Sequence, residues 1–421
     1  MAKKKPPTPD SGDDVDLARA KLPEARDLPR PRRLFFDWSS GPGAQIEIVG
    51  AQAPYKINYT LQWRRAVRPP VQDLPLDNNG YQELCDRLAE LKRLLNEGDN
   101  IHRSHRGEPS EKTGAALHES RTKTVGILSS LGRTLHDYIL PDRMKESLVK
   151  DDLSDLFLEI GVDERLNEFP FELIFDGNEY FCLKHNVGRY VVSSHYDPPI
   201  PKLEEITELS VLLVSVPKTS AKPPHPGIQF RELPQVYAEA KEIESLLSPL
   251  LKKNFKHLSN ATWDEFVKES HGDRKYKIVH FCGHAYFDKQ DPAASGLAFQ
   301  DKLVTKTQIY GRFMNLRPLF CFINACESVA AADEAERFNL YGLGQTFLEL
   351  GVYLLGTRSL IEDEAAKAFA RTFYSNLLVK NEPLGRAVRL ARIASRDAVV
   401  NSFDWASYIF YGDPRFRFSN D

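Results

Sequence analysis

The sequence predicts an α/β protein in which helices cover both faces of a mostly parallel sheet. Short continuous apolar runs, typical of strands buried on both faces, alternate with helical patterns in the second half of the chain. Strands separated by helices favour parallel pairing. Hydrophobic residues make up 42% of the 421 residues, which is enough to bury a sizeable core.

The N-terminal part of the chain differs from the rest in composition. Residues 1–33 contain no aromatic residue and six prolines among charges of both signs, so we predict a disordered tail. Residues 34–115 are predicted to form a small region of unknown role that contains both strands and helix. Its predicted elements are strands at residues 44–49 and 55–63 and a helix at residues 81–95, followed by a polar loop at residues 97–113.

The remaining elements follow one another from residue 116 to the end of the chain. A helix is predicted at residues 122–138, and strands at residues 156–160, 172–175, 180–183 and 189–192. Asp176-Gly177-Asn178 is a hairpin-turn signal between the second and third of these strands. Further strands are predicted at residues 209–216, 276–281, 318–325, 352–356 and 405–411, with helices at residues 236–250, 343–350, 362–379 and 384–398.

Charge and cysteine usage exclude several classes of protein. The chain has 56 basic and 59 acidic residues and a net charge of -3, which gives no electrostatic case for nucleic acid as a partner. No apolar run approaches the roughly 18 residues of a membrane span. The basic first residues are not followed by the apolar stretch of a secretory signal. Five scattered cysteines argue against a disulfide framework, so we expect a cytoplasmic protein.

Two predicted strands end in side chains that can carry chemistry. The strand at residues 276–281 leads into Cys282-Gly283-His284-Ala285, and the strand at residues 318–325 leads into Cys326-Glu327-Ser328. Functional groups of a parallel sheet gather beyond the carboxyl ends of its strands, so we expect His284 and Cys326 to lie side by side. An imidazole beside a thiol can act as the base of a nucleophile. The backbone N–H groups of Ala285 and Cys326 are then candidates for an oxyanion hole.

Two other interpretations of these residues remain open. Cysteine is among the most frequently buried residues, and Cys326 could simply pack in the core. A zinc site formed by His280, Cys282, His284 and Cys326 is the second alternative, although the Cys-x-His spacing matches no common zinc pattern.

Several further motifs follow one another along the chain. They include Phe169-Pro170-Phe171-Glu172-Leu173, His280-Phe281-Cys282-Gly283-His284-Ala285, Ile323-Asn324-Ala325-Cys326-Glu327-Ser328 and Trp405-Ala406-Ser407-Tyr408 with Tyr411-Gly412-Asp413. Taken in this order, they resemble the CHAT domain, a caspase-like peptidase family of clan CD, and the resemblance covers roughly residues 120–421.

The resemblance implies a caspase-haemoglobinase-like fold over residues 116–421. Within this domain, residues 116–205 would form a first subdomain and residues 206–421 the catalytic core. It further implies a cysteine endopeptidase with His284 and Cys326 as the catalytic pair, without a cofactor or metal. The implied biology is regulated cleavage of a protein substrate, often in prokaryotic defence or cell death, with room for a regulatory protein partner or activator. The alternative is a catalytically silent scaffold or a signal-sensing interaction module.

The resemblance also suggests where substrate binds. The loop at residues 357–363 should line the substrate groove, which makes Arg358, Glu362 and Asp363 candidate specificity residues. The other interpretation is that Glu362 and Asp363 form the first turn of the next helix, where carboxylates suit the helix dipole. Asn324 is a further candidate for substrate contact. It stands where the related metacaspases have Asp, so a preference for Lys or Arg at the cleavage site cannot be carried over.

Overall fold

The structure of the protein is a computed structural model. It describes residues 32–39, 55–59, 72–76, 78–104, 111–140, 145, 156–163, 169–192, 209–224, 230–272, 275–286, 294–327, 341–358, 361–399 and 401–418.

A mostly parallel sheet organises the described residues, as the sequence predicts. The strands are β1 (Arg32–Ser39), β2 (Tyr55–Tyr59), β3 (Gln72–Leu76), β4 (Phe157–Asp163), β5 (Asn186–Val192), β6 (Val211–Ser215), β7 (Phe255–Ser259), β8 (Ile278–Tyr286), β9 (Gly296–Ala298), β10 (Leu303–Thr305), β11 (Phe320–Glu327), β12 (Tyr353–Thr357) and β13 (Tyr408–Tyr411). The strands β7, β6, β8, β11 and β12 lie side by side in parallel, and β13, β5, β4 and β1 extend the sheet beyond them. Shorter antiparallel strands add to both ends.

The helices begin and end at recognisable signals. Pro234 starts its helix at a position where a missing N–H costs nothing, and Thr262 and Glu265 form a reciprocal capping box. The helices are α1 (Asn78–Ser104), α2 (Glu111–Ile139), α3 (Phe181–Lys184), α4 (Pro234–Leu251), α5 (Trp263–His271), α6 (Lys306–Leu316), α7 (Tyr341–Glu349), α8 (Asp363–Tyr374), α9 (Leu384–Ala398) and α10 (Asp404–Ser407).

Both faces of the central strands are buried. Along β6, Val211 and Leu213 belong to the apolar cluster under α4, α8 and α9, whereas Leu212 and Val214 belong to the cluster under α5, α6 and α7. This two-sided burial explains why the strand is a continuous apolar run in the sequence. A third cluster joins α1 and α2 to β4 and β5.

The N-terminal strand is part of the main sheet. β1 pairs in parallel with β4, with Leu34 opposite Ile160. The predicted strand at residues 44–49 and residues 1–31 of the predicted tail lie outside the described residues.

The first two helices are longer than the sequence pattern predicts. α1 runs to Ser104 and α2 begins at Glu111, so most of the predicted polar loop is helical. Polar residues at helical spacing support this extension, because Arg93 and Glu97 pair one turn apart at 3.1 Å.

The segment before β5 contains the predicted turn but not the strands predicted at residues 172–175 and 180–183. A 3-10 turn at Phe171–Leu173 and the short helix α3 flank a single antiparallel bridge between Phe175 and Tyr180. The turn itself is confirmed, with Gly177 at a φ of 98°. Local hydrogen bonds such as Leu173 N–H to Pro170 O, at 2.8 Å, replace strand pairing in this segment.

Other elements were missed or divided differently. The strand predicted at residues 405–411 is the one-turn helix α10 followed by β13. Short elements that were not predicted from the sequence include β3, β7, β9, β10, α5 and α6. Within the described part of the chain, no helix is long and apolar enough to cross a membrane.

Candidate active site

The strands β8 and β11 are direct parallel neighbours, and their register pairs the two predicted catalytic positions. Cys326 lies opposite His284, and neighbouring strands lie about 4.8 Å apart. Side chains of a strand alternate between its two faces. Position 326 therefore lies on the same face of β11 as Phe322 and Asn324, and His284 lies on the same face of β8 as His280. The side chain of Cys326 itself lies outside the described part of the structure.

His284 is held in one orientation by its surroundings. The ring is buried and its Nε2 lies 2.5 Å from the backbone oxygen of Arg231. The ring of Phe230 packs against it with 4.9 Å between the centroids. A carbonyl oxygen can only accept a hydrogen bond, so Nε2 carries the proton and the basic lone pair of the neutral ring is on Nδ1.

The strand β8 carries His284 in a confined position. β8 pairs with β6 on one side and with β11 on the other along most of its length. Near the end of β8, His284 pairs with Ala298 of β9. Gly283 precedes the histidine at a crowded point, since an added Cβ would lie 3.1 Å from the carbonyl oxygen of Val216. The backbone around His284 is therefore fixed from both sides.

Ala285 occupies the next position of β8. Its register partners are Glu327 of β11 and Leu297 of β9. The role of its N–H group in an oxyanion hole, like that of the Cys326 N–H group, stays a prediction.

Asn324 directs its amide into the protein. The side chain is buried, and Nδ2 lies 2.8 Å from each carboxylate oxygen of Glu239 on α4. The predicted contact of Asn324 with substrate stays a prediction, and the described partner of its amide is Glu239.

Beneath the two predicted catalytic positions lies a buried polar network. Nε2 of His280 lies 3.3 Å from Oε1 of Glu239, and Nδ1 of His280 lies 2.9 Å from the hydroxyl of Tyr374 on α8. The thiol of Cys282 donates to the backbone oxygen of Val214 at 3.7 Å. Burial, together with the charge of Glu239, raises the pKa of the Cys282 thiol well above its usual range.

Among the described residues, one group of side chains could meet at a metal ion. It consists of Glu239, His280 and Cys282, whose ligand atoms lie within 4.8 Å of one another. This group differs from the zinc alternative considered from the sequence, which used His284 and Cys326 and lacked Glu239.

Arg358 follows β12 directly and is buried. Its backbone N–H donates to the oxygen of Ser407 at 2.9 Å, and its side chain is 7% exposed. Burial lowers the pKa of the Arg358 guanidinium, as does the nearby charge of Arg189, whereas the carboxylate of Glu172 raises it. Arg358 therefore lies in a buried group of charges.

The two acidic specificity candidates lie at the start of α8. Glu362 is the residue before the helix and forms an ion pair with Arg121 of α2. Asp363 is the first residue of the helix, and its side chain lies outside the described part. Their positions agree with the alternative that both residues belong to a helix start.

Glu239 was not predicted from the sequence, although it contacts both strands that carry the predicted catalytic positions. Its signal was present, because Glu239 falls within the apolar stripe of α4 that includes Val236, Ala240 and Ile243. An acidic residue inside such a stripe requires a buried partner.

Comparison with known proteins identifies one family. The family model of the CHAT domain matches residues 129–413, which span the strands β4 to β13 and include positions 284 and 326. Among curated proteins, none matches the chain significantly.

Proposed function

The chain belongs to the CHAT-domain family, a caspase-like domain related to clan CD, and on this basis we propose that it is a cysteine endopeptidase. The observation that carries the proposal is the register of β8 and β11, which pairs Cys326 with His284. The family match supports the same pair of residues, since it covers both strands.

In the proposed reaction, the sulfur of Cys326 attacks the carbonyl carbon of the scissile peptide bond. His284 takes the thiol proton on Nδ1, which the hydrogen bond of Nε2 to Arg231 O leaves as the basic nitrogen. The N–H groups of Ala285 and Cys326 hold the oxyanion of the tetrahedral intermediate. The intermediate collapses as His284 gives its proton to the leaving amine, and a thioester to Cys326 remains.

The second half of the reaction frees the enzyme. His284 removes a proton from a water molecule, and the resulting hydroxide attacks the thioester carbonyl. The carboxylate product leaves and the Cys326 thiol is restored. Every proton in this cycle passes through His284, so the loss of either residue should stop turnover.

The proposal includes a protein substrate and regulated cleavage in a prokaryotic defence or cell-death pathway, as the family resemblance suggests. We place the reaction in the cytoplasm because the five cysteines are scattered along the sequence, and Cys85, Cys182, Cys282 and Cys321 form no disulfide among the described residues. Arg358 and Glu362 both have charged neighbours within the protein, and these contacts favour neither an acidic nor a basic substrate residue at the cleavage site.

Covalent labelling tests the proposal. The full chain is incubated with a mixture of peptidyl acyloxymethyl ketones that differ in their terminal residue, and the modified residue is mapped by mass spectrometry. We expect labelling at Cys326 in the wild type and its loss in His284→Ala, while a His257→Ala control on β7 should label normally. Wild-type protein that never labels at Cys326 would favour the catalytically silent scaffold.

A further inference from the structure

Glu239 is a buried acid in an otherwise apolar surface. It lies on the face of α4 that packs on the sheet, among Val236, Ala240 and Ile243, and only 3% of it is exposed. A carboxylate in such a place is costly unless hydrogen-bond donors surround it. Its retention in the core therefore points to specific partners.

Those partners come from both catalytic strands. Asn324 of β11 donates to both carboxylate oxygens at 2.8 Å. His280 of β8 has its Nε2 3.3 Å from Oε1. The hydroxyl of Tyr374 can donate to Nδ1 of His280 at 2.9 Å, which leaves the proton of the neutral ring on Nε2, toward Glu239.

The two contacts lie just below the catalytic positions. Asn324 is two residues before Cys326 and His280 is four residues before His284, and the pairs share one face of their strands. A single carboxylate on α4 thus holds β8 and β11 against the same helix. A nucleophile and its base must stay within hydrogen-bond reach, and a displacement of about 1 Å can cost about 100-fold in rate.

We propose that Glu239 is a positioning residue that clamps the two catalytic strands and keeps the Cys326 thiol in reach of His284. This inference rests on the proposed function, because it concerns the same pair of residues. Glu239 acts through Asn324 and His280.

The test measures the reactivity of Cys326 directly. Full-length protein is alkylated with iodoacetamide between pH 5 and 9, and the rate at Cys326 is followed by mass spectrometry. An imidazole-activated cysteine reacts with a midpoint below the value of about 8.5 for a free cysteine. For Glu239→Gln we expect the midpoint to rise by about one pH unit, with a rate at pH 7 about tenfold lower.

The matched control is Glu242→Gln on the same helix. Glu242 lies nearly one turn further along, its side chain is 35% exposed, and it pairs with Arg371 at 3.4 Å. Its pH profile should coincide with that of the wild type. A thermal unfolding scan of each variant establishes that folded protein is being compared.

A second variant restores the hydrogen bonds with their roles exchanged. In Glu239→Gln/Asn324→Asp, the glutamine amide can donate to the aspartate while its oxygen stays next to Nε2 of His280. We expect this double variant to recover at least part of the wild-type rate at pH 7. If Glu239→Gln alone does not fold, the double variant still tests the positioning role of Glu239.

Two results would overturn the clamp while leaving the peptidase intact. The first is a wild-type pH profile in folded Glu239→Gln. The second is a folded double variant that remains as slow as Glu239→Gln or, where that variant does not fold, stays more than tenfold below the wild type. A failure of the proposed function would give a different result. Cys326 of the wild type would then react with the pH dependence of a free thiol, and no acyloxymethyl ketone would label it. That result would also contradict the positioning role of Glu239.

Discussion

Replacement of Asp404 by asparagine should remove a pH dependence from the stability of the fold. Asp404 is the first residue of α10, is buried, and accepts a hydrogen bond from Ser402 at 2.7 Å. Burial raises the pKa of Asp404 to about 6, against the opposing effects of the Ser402 hydrogen bond and the charge of Arg121. Asparagine keeps the shape and the acceptor but cannot ionise.

The magnitude follows from the shift. The pKa rises from 3.8 to about 6, and one pKa unit is worth about 1.4 kcal/mol, so the full effect is about 3 kcal/mol. The sign follows from proton binding: the native state holds this proton more tightly than the unfolded state does. The stabilisation is therefore complete below about pH 4 and is lost as the pH rises through about 6, with about 2 kcal/mol lost between pH 4.5 and 7.5.

Urea unfolding at four pH values between 4.5 and 7.5 measures this effect. Trp405 follows Asp404 directly and donates from its indole to the oxygen of Ser402, so tryptophan fluorescence reports on this site. The free energy of unfolding of wild type minus that of Asp404→Asn should fall by about 2 kcal/mol across the range. Asp397→Asn, at a 62% exposed side chain on α9, is the control. Parallel pH curves for wild type and Asp404→Asn would show that the pKa of Asp404 is not raised in the folded protein.

Three further predictions concern buried polar groups. Glu172→Ala should lower the free energy of unfolding by about 3–5 kcal/mol, because it leaves Arg189 buried without the carboxylate 2.5 Å away; a loss below about 1 kcal/mol in urea unfolding would contradict this. Cys282 and Cys321 should resist iodoacetamide at pH 8 in the native protein, since burial raises both pKa values well above the usual range; equal labelling rates in native protein and in urea would show otherwise. His280→Ala should lower the thermal midpoint, because the ring is fully buried and hydrogen-bonded; a thermal midpoint equal to that of the wild type would contradict this.

The sequence predicts the central sheet well because its physical signal is local. Strands such as β6 are buried on both faces and so appear as continuous apolar runs. The order of strands and helices then favours parallel neighbours, which is how β8 and β11 come to lie side by side. The predicted opposition of His284 and Cys326 along the backbone follows from that adjacency.

Side-chain partners could not be predicted in the same way. Asn324 and Glu239 are separated by 85 residues and meet only because α4 packs across β11. The surroundings of Arg358 depend on Glu172, and those of Glu362 on Arg121, both far away in the sequence. Residue spacing carries no information about such contacts.

The predictions for α1, α2 and the segment at residues 171–184 were wrong for a different reason. The polar surface of α1 and α2 resembles a loop in composition, although pairs such as Arg93 and Glu97 fit a helix. Around residues 171–184, β-favouring aromatic residues occupy short helical turns because they pack in the cluster beneath α2. Tertiary packing there outweighs local preference.

Cleavage by the wild type compared with Cys326→Ala is the most direct test of the catalytic assignment. Each purified protein is incubated with an undigested cell lysate, and new N-termini are mapped by mass spectrometry. Circular dichroism checks the fold of the wild type and of Cys326→Ala. We expect a defined set of new N-termini with the wild type and a cleavage rate at least about 1,000-fold lower with Cys326→Ala, whose free energy of unfolding should fall by no more than about 2 kcal/mol. Equal cleavage by a folded Cys326→Ala protein would contradict the assignment.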